Sequence, residues 1–187
     1  NNTLPSWLSF NAGTRTFSGT PLNEDVGTVA VKVTATDASN AIIADTFNIV
    51  VTNVNDAPAI TSSAVTSVNE DAAYSYTFAA SDVDAGDSIT LAATTKPSWL
   101  SFNAGTGVLS GTPDNDDVGS HNVELKATDS TGAITTQSFT LTVANVNDAP
   151  TITSSAVTSV NEDTAYSYTF AASDVDVGDS LCLLYTS

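Results

Sequence analysis

Pro5-Ser-Trp-Leu-Ser-Phe-Asn-Ala-Gly-Thr14 returns unchanged as Pro97 to Thr106, and Asn53-Val-Asn-Asp-Ala-Pro58 returns as Asn145 to Pro150, each after 92 residues. The same shift carries Ile60 to Asp71 onto Ile152 to Asp163 and Ser81-Asp-Val-Asp84 onto Ser173 to Asp176, with no insertion breaking the register. Between 59–88 and 151–180 only three of thirty positions differ (59, 72 and 85), whereas 4–58 and 96–150 differ at 23 of 55. A period of 92 exceeds that of stacked solenoid repeats and matches one small domain, which predicts beads on a string. The natural cut falls at Asn-Asp-Ala-Pro, because Pro removes a backbone donor and holds the preceding residue extended. Residues 1–58 then form the back part of one domain, 59–150 a complete domain, and 151–187 the front part of a third. Such near-identity points to recent duplication, and the absence of Met at an abrupt Asn1 leads us to expect a fragment of a longer protein.

Inside the complete repeat the apolar residues alternate. Tyr74, Tyr76 and Phe78 share one face, as do Val123, Leu125 and Ala127, then Phe139, Leu141 and Val143, and Ile89, Leu91 and Ala93. Asp84-Ala-Gly-Asp87, Asn103-Ala-Gly-Thr-Gly107, Ser110-Gly-Thr-Pro-Asp114 and Asp129-Ser-Thr-Gly132 mark turns between them. The prediction is all-β: tandem immunoglobulin-like sandwiches of about seven strands each. No stretch of helical period competes with it.

Lys plus Arg number 4 and Asp plus Glu 21, a net charge of −17. A nucleic-acid binder or a ligand of anionic lipid needs a cationic footprint, and none is present. Apolar runs are too short to cross a bilayer and no signal peptide is visible. A hydrophobic content of 41% argues for a folded core, and a single Cys excludes a disulfide framework.

The acids have addresses. Residues 59–150 hold eleven (Glu70, Asp71, Asp82, Asp84, Asp87, Asp114, Asp116, Asp117, Glu124, Asp129, Asp148) against Lys96 and Lys126, and nearly all sit at strand ends or in turns. This places many hard oxygen ligands where one domain meets the next, beside a linker rich in Asn and Asp. Ca²⁺ takes six to eight such oxygens, and without a cation the junction would repel itself. Turn propensity and solubility account for any single Asp equally well.

These residues also carry a family resemblance. Asn145-Val-Asn-Asp-Ala-Pro150 resembles the cadherin linker pattern Asp-x-Asn-Asp-Asn-x-Pro, Glu70 the cadherin Glu, Asp82-Val-Asp84 its Asp-x-Asp, and Ala127-Thr-Asp129 its Ala-x-Asp. Trp99-Leu-Ser-Phe followed by Thr106-Gly-Val-Leu-Ser-Gly-Thr-Pro113 is similar to the dystroglycan-type cadherin-like (Ig-like) tandem repeats of large bacterial surface adhesins. The resemblance implies Ca²⁺ at each junction. Near 58 it implies Asn53, Asn55 and Asp56 from the linker with Asp82, Asp84 and Asp129. Near 150 it implies Glu70, then Asn145, Asn147 and Asp148 from the linker, with Asp174 and Asp176. Asn53 and Asn145 stand where cadherins have Asp, and Gly111-Thr-Pro-Asp-Asn-Asp-Asp117 replaces a missing Leu-Asp-Arg-Glu, leaving Asp116 or Asp117 as substitutes.

The expected function is that of a calcium-binding, rigidified stalk in an extracellular or cell-surface adhesin. Its partners would be calcium ions, neighbouring repeats, and a surface protein or glycan reached through other domains. The rival reading is a ligand- or glycan-binding module attached to a secreted enzyme, and homophilic adhesion is a third. Trp7 and Trp99 could stack on sugars, although a sandwich commonly buries such a Trp. His121 has Val29 as its counterpart one period earlier, and no nucleophile–base set can be assembled, so no enzyme is expected. Where the complete repeat reads Ser88-Ile-Thr-Leu-Ala-Ala-Thr94, the third copy reads Ser180-Leu-Cys-Leu-Leu-Tyr-Thr186. This break after 27 identities in thirty positions suggests an artefact over 181–187 and gives Cys182 no functional weight.

Overall fold

The computed structural model describes residues 3–185, and these are all-β apart from two single 3₁₀ turns at Asn23–Asp25 and Asn115–Asp117. The first strands are β1 (Leu8–Asn11), β2 (Thr16–Gly19), β3 (Gly27–Thr36) and β4 (Ile42–Val51). A middle set follows: β5 (Ala59–Ile60), β6 (Ser67–Asn69), β7 (Tyr74–Thr77), β8 (Ala80–Ser81), β9 (Thr90–Thr95), β10 (Ser101–Asn103), β11 (Val108–Gly111), β12 (Gly119–Thr128) and β13 (Ile134–Ala144). Two short strands close the series, β14 (Thr151–Ile152) and β15 (Ala172–Ser173).

In the middle set one sheet runs β10-β11-β7 and the other β6-β13-β12-β9, antiparallel except where β6 lies parallel to β13. The residues that alternation placed inward meet between them: Tyr74, Tyr76 and Phe78 from the first sheet, Val123, Leu125, Ala127 and Leu141 from the second, all buried with Leu100 and Leu109. This is the sandwich expected of a period-two pattern with one dry face per sheet.

Nine strands stand where about seven were expected, because two strands are broken by specific hydrogen bonds. Thr61 to Thr66 carries the chain from β5, paired with β8, across to β6, paired with β13. Ser62 Oγ bonds the Tyr76 hydroxyl at 2.7 Å and accepts the Ala79 N–H at 2.8 Å, so it pins that crossing. The Phe78 N–H donates to the Gly107 carbonyl at 2.9 Å, which ends β7 before β8 begins. Gln137 completes the network, accepting from Tyr76 at 2.6 Å and donating to the Ser62 carbonyl at 3.1 Å.

The repeat is visible in three dimensions. β1 to β4 follow β10 to β13 at the 92-residue offset, and β14 and β15 follow β5 and β8. The copies of β6, β7 and β9 at 159–161, 166–169 and 182–187 do not form strands among the described residues, although 159–161 and 166–169 repeat the sequence of β6 and β7 without change. Their ladder partners in the middle set are β13, β11 and β12. Those partners lie downstream of them within the repeat. Of the tail, Leu184 and Tyr185 are almost fully exposed and Cys182 is exposed; residues 186 and 187 lie outside the described residues.

Trp99 is half-buried as the sandwich reading expected, its ring edge-on to Tyr74 at 6.2 Å and to His121 at 6.1 Å. Gly111 makes this close packing possible, since a Cβ there would lie 2.3 Å from the Trp99 carbonyl oxygen and 3.0 Å from its ring. Gly111→Ala is therefore expected to cost about 1–3 kcal/mol by overpacking, read as a lower midpoint in urea.

The Tyr74 hydroxyl donates to the Val65 carbonyl at 2.8 Å, and burial, reinforced by neighbouring Tyr76, pushes its ionisation up to about 12. Below its ordinary value of 10 the phenol is neutral whether the chain is folded or not. Above it the unfolded chain gives up the proton while the folded chain keeps it, so stability falls as pH rises between about 10 and 12. Tyr74→Phe is expected to flatten that decline, followed by fluorescence during alkaline titration.

Candidate metal centres

Asp82-Val-Asp-Ala-Gly-Asp87 leaves β8 in a tight turn. Asp82 Oδ1 accepts the Asp84 N–H at 2.9 Å, and the Asp84 carbonyl accepts the Asp87 N–H at 3.2 Å. Gly86 at φ 95° supplies the left-handed step that a Cβ would resist. One oxygen from each of Asp82, Asp84 and Asp87 thereby falls within 4.8 Å of the others. The third copy builds the same turn, with Asp176 N–H on Asp174 Oδ1 at 3.0 Å and Gly178 at φ 100°, and brings Asp174, Asp176 and Asp179 together.

Each linker straps itself to the turn that follows. The Asp56 N–H donates to Asp84 Oδ2 at 2.7 Å, and one period later the Asp148 N–H donates to Asp176 Oδ2 at 2.7 Å. Asn55 Nδ2 donates to the Asp56 carbonyl at 2.9 Å and to Asp129 Oδ2 at 2.8 Å; Asn147 Nδ2 donates to the Asp148 carbonyl at 2.8 Å. Asp129 Oδ1 accepts the N–H groups of Thr131, Gly132 and Ala133 at 2.7–2.9 Å. The Asn55 amide above all, with these backbone donors and the Thr131 hydroxyl, holds the Asp129 carboxyl down to about 2 against its burial, so it is ionised at any physiological pH.

Glu70, the residue that follows β6, reaches the second linker. It is buried, its Oε1 accepts the Val146 N–H, and it lies with Asp148 and Asp176 in a second three-carboxylate group within 4.8 Å. The 3₁₀ turns bring one more residue to each linker, Asn23 Nδ2 on Asp56 Oδ2 at 2.7 Å and Asn115 Nδ2 on Asp148 Oδ2 at 3.2 Å. In the second turn Asn115 is the residue that bonds the linker, while Asp117 Oδ2 caps the Asp114 N–H and Asp114 Oδ1 accepts the Asp116 N–H.

Of the residues singled out in the sequence, Asn55, Asp56, Asp82, Asp84 and Asp129 come together at one junction, and Glu70, Asn147, Asp148, Asp174 and Asp176 at the other. Asn53 and Asn145 are exposed. Asp87, Asp179, Asn23 and Asn115 were not foreseen. The spacing Asp-x-Asp-x-x-Asp was legible for the first two, where the Asp-Ala-Gly-Asp stretch reads first as a plain turn.

Five carboxylate oxygens in these groups are buried without a hydrogen-bond donor: Glu70 Oε2, Asp82 Oδ2, Asp84 Oδ1, Asp87 Oδ2 and Asp176 Oδ1. A buried anionic oxygen without a partner is costly, and several side by side repel one another. Lys and Arg cannot relieve this, since only Arg15, Lys32, Lys96 and Lys126 exist in the chain and Lys96 Nζ is engaged by the Leu100 carbonyl. Hard oxygen donors in this number and proximity fit a divalent cation of the calcium type.

Comparison with known proteins agrees with this architecture. Over 160 residues the chain is 31% identical to the serine-rich adhesin for platelets of Staphylococcus aureus, strain USA300, covering 83% of this chain and 7% of the adhesin. The chain thus spans a small part of that relative's length. The protocadherin GammaB4 extracellular domain matches in fold with a TM-score of 0.57 at 20% identity, covering 94% of this chain and 34% of that one. Protocadherin Gamma B7 extracellular cadherin domains 1–4 match with 0.56 at 19%, covering 91% and 47%. No helix among the described residues is long and apolar enough to cross a membrane. The model of the family described as "Putative Ig domain" matches residues 1–52 and again 57–144, and the chain belongs to that family of immunoglobulin-type domains.

Proposed function

We propose that this chain is a calcium-stiffened spacer of an extracellular or cell-surface adhesin, built of repeat units joined at 58 and 150. The observation that carries the reading is the set of five buried carboxylate oxygens without donors, all of them at the two places where a linker meets the next turn. Ca²⁺ near 58 would draw on Asp82, Asp84 and Asp87, with Asp56, Asn55 and Asp129 alongside and Asn53 within the same linker. Near 150 it would draw on Glu70, Asp148, Asp174, Asp176 and Asp179, with Asn145 and Asn147 in the linker. The ion supplies positive charge where carboxylates otherwise repel, so the angle between neighbouring units becomes fixed.

The work of such a region is mechanical: it holds a distal binding domain away from the surface to which the protein is anchored. The similarity to a staphylococcal adhesin supports that setting, and a calcium-rich exterior suits modules that bind at about 10⁻⁴ to 10⁻³ M. The glycan-binding alternative is weakened by Trp99, whose ring is engaged by Tyr74 and His121. His121 Nε2 lies 2.6 Å from the Asp117 carbonyl and its ring packs edge-on to Trp99, so it serves the packing around that indole. Calorimetric titration of the chain with CaCl₂ tests the reading; saturable heat is expected, and its absence at millimolar Ca²⁺ would sink the proposal.

A further inference from the structure

Tension on a spacer enters the middle unit through its first strands and leaves along β13 into the linker that begins at Asn145. β5 has only two paired residues, Ala59 opposite Ser81 and Ile60 opposite Ala80, so the load passes to β6. β6 lies parallel to β13, with Ser67, Val68 and Asn69 opposite Thr142, Val143 and Ala144. Pulling the start of β6 away from the end of β13 drives the two strands past each other along their common direction. Their evenly spaced rungs are then loaded together, whereas an antiparallel hairpin pulled at its open end gives them up one at a time.

The ladder runs beyond β6 itself. Before it, the Thr142 N–H donates to the Thr66 carbonyl at 2.9 Å; after it, the Glu70 N–H donates to the Ala144 carbonyl at 3.0 Å. In a parallel ladder the residue that donates to one position accepts from the position two further on, which would give the Val146 N–H to the Glu70 carbonyl. The backbone turns away first: Asp71, at φ 57°, gives its N–H to the Pro113 carbonyl at 2.8 Å. The Glu70 side chain takes the vacated place, its Oε1 accepting the Val146 N–H. One residue thus closes the ladder twice, by main chain and by carboxylate. It is 2% exposed, its Oε2 is buried without a donor, and an oxygen of the carboxylate lies within 4.8 Å of oxygens of Asp148 and Asp176.

We propose that the β6–β13 ladder sets the resistance of the middle unit to tension, and that Glu70 is its last rung, locked by the cation of the junction near 150. The ladder stands on the hydrogen bonds alone, while the lock rests on the calcium reading. Glu70 would share an ion with Asp148, two residues beyond Val146, and the rung could not slip without giving up that ligand. Occupancy of the junction therefore strengthens the unit that precedes it as well as fixing the angle.

The test is constant-force spectroscopy on the whole chain held by its ends between marker domains, in EDTA and in about 10 mM CaCl₂. The middle unit is read as the step that frees roughly 25–30 nm of chain. In EDTA, Glu70→Ala removes the last rung and should unfold about ten- to a hundredfold faster than the parent at equal force. Val146→Pro, at a linker residue 44% exposed, removes the same rung from its donor side and should reproduce that effect even where Glu70→Ala fails to fold. Glu70→Gln keeps an oxygen for the Val146 N–H and should unfold as the parent does. CaCl₂ should slow the parent about tenfold or more and leave Glu70→Gln unchanged. Phe102→Ala, packed against the core from the opposite sheet, is the control: it should lower the urea midpoint while moving the forced rate far less than Glu70→Ala. Parent-like rates for Glu70→Ala or Val146→Pro in EDTA overturn the ladder, as does a Phe102→Ala chain that ruptures as fast as they do. Saturable calcium heat with no slowing of the parent overturns the lock and leaves the calcium reading standing; no heat overturns both, and the rates in EDTA still decide the ladder.

Discussion

Millimolar Ca²⁺ is expected to raise the thermal midpoint of this chain and to lengthen and narrow its small-angle scattering envelope relative to EDTA. At an affinity of about 10⁻⁴ to 10⁻³ M, 10 mM Ca²⁺ is ~10 to 100 times the dissociation constant, which stabilises by about 1.4–2.7 kcal/mol per site. For units of this size that corresponds to a rise of roughly 6–20 °C. Mg²⁺ at equal concentration should do less, because it demands a tight octahedral shell and dehydrates reluctantly. The junctions can be separated. Glu70→Gln with Asp176→Asn removes the charge of two of the three carboxylates that converge near 150 and should abolish the response there, whereas Asp84→Asn should act near 58. In EDTA these neutral variants should melt no lower than the parent, since each removes a repelling charge. Identical melting and scattering with and without Ca²⁺ would refute the spacer reading.

Phe78→Ala and Phe170→Ala, made at equivalent positions in identical local sequence, are expected to differ in cost by about 3–5 kcal/mol. Phe78 is 1% exposed at the centre of the core, so its truncation should cost about 3–5 kcal/mol through lost transfer energy and a residual cavity. Phe170 is 40% exposed, and its truncation should stay within about 0.5 kcal/mol. Urea denaturation at low protein concentration reads both. Equal effects would mean that Phe170 is packed as Phe78 is, contrary to the exposure of Tyr166 and Phe170.

The strands that carry the core were legible because alternation is a property of a few adjacent residues. Val123, Leu125 and Ala127 could face inward only as a set once the strand formed. The division of the first two strands was not legible. It depends on Ser62 bonding Tyr76 and Ala79, and on Phe78 meeting Gly107, partners 14 to 29 positions apart. At the junctions, Asp82 and Asp84 stood out as a pair, while Asp87 joins them only because Gly86 turns the chain back. Asn115 could not be preferred over Asp116 or Asp117 from the sequence, because which residue faces the linker is decided by how Asp114 and Asp117 cap a single 3₁₀ turn.

The period of 92, the all-β class, the inward-facing residues and the placing of acids at turns follow from short-range pattern and from identity between copies. Tertiary structure alone decided which copies of a strand exist as strands. Residues 166–169 repeat β7 letter for letter and remain irregular, because a β-strand is stabilised by a ladder partner and a face to bury, and both come from segments about thirty residues further along the repeat. Tertiary structure also decided that Glu70, Asp148 and Asp176, carboxylates 28 to 106 residues apart, bring an oxygen each within 4.8 Å of the others, and it is this convergence that turns an acidic composition into a candidate cation site.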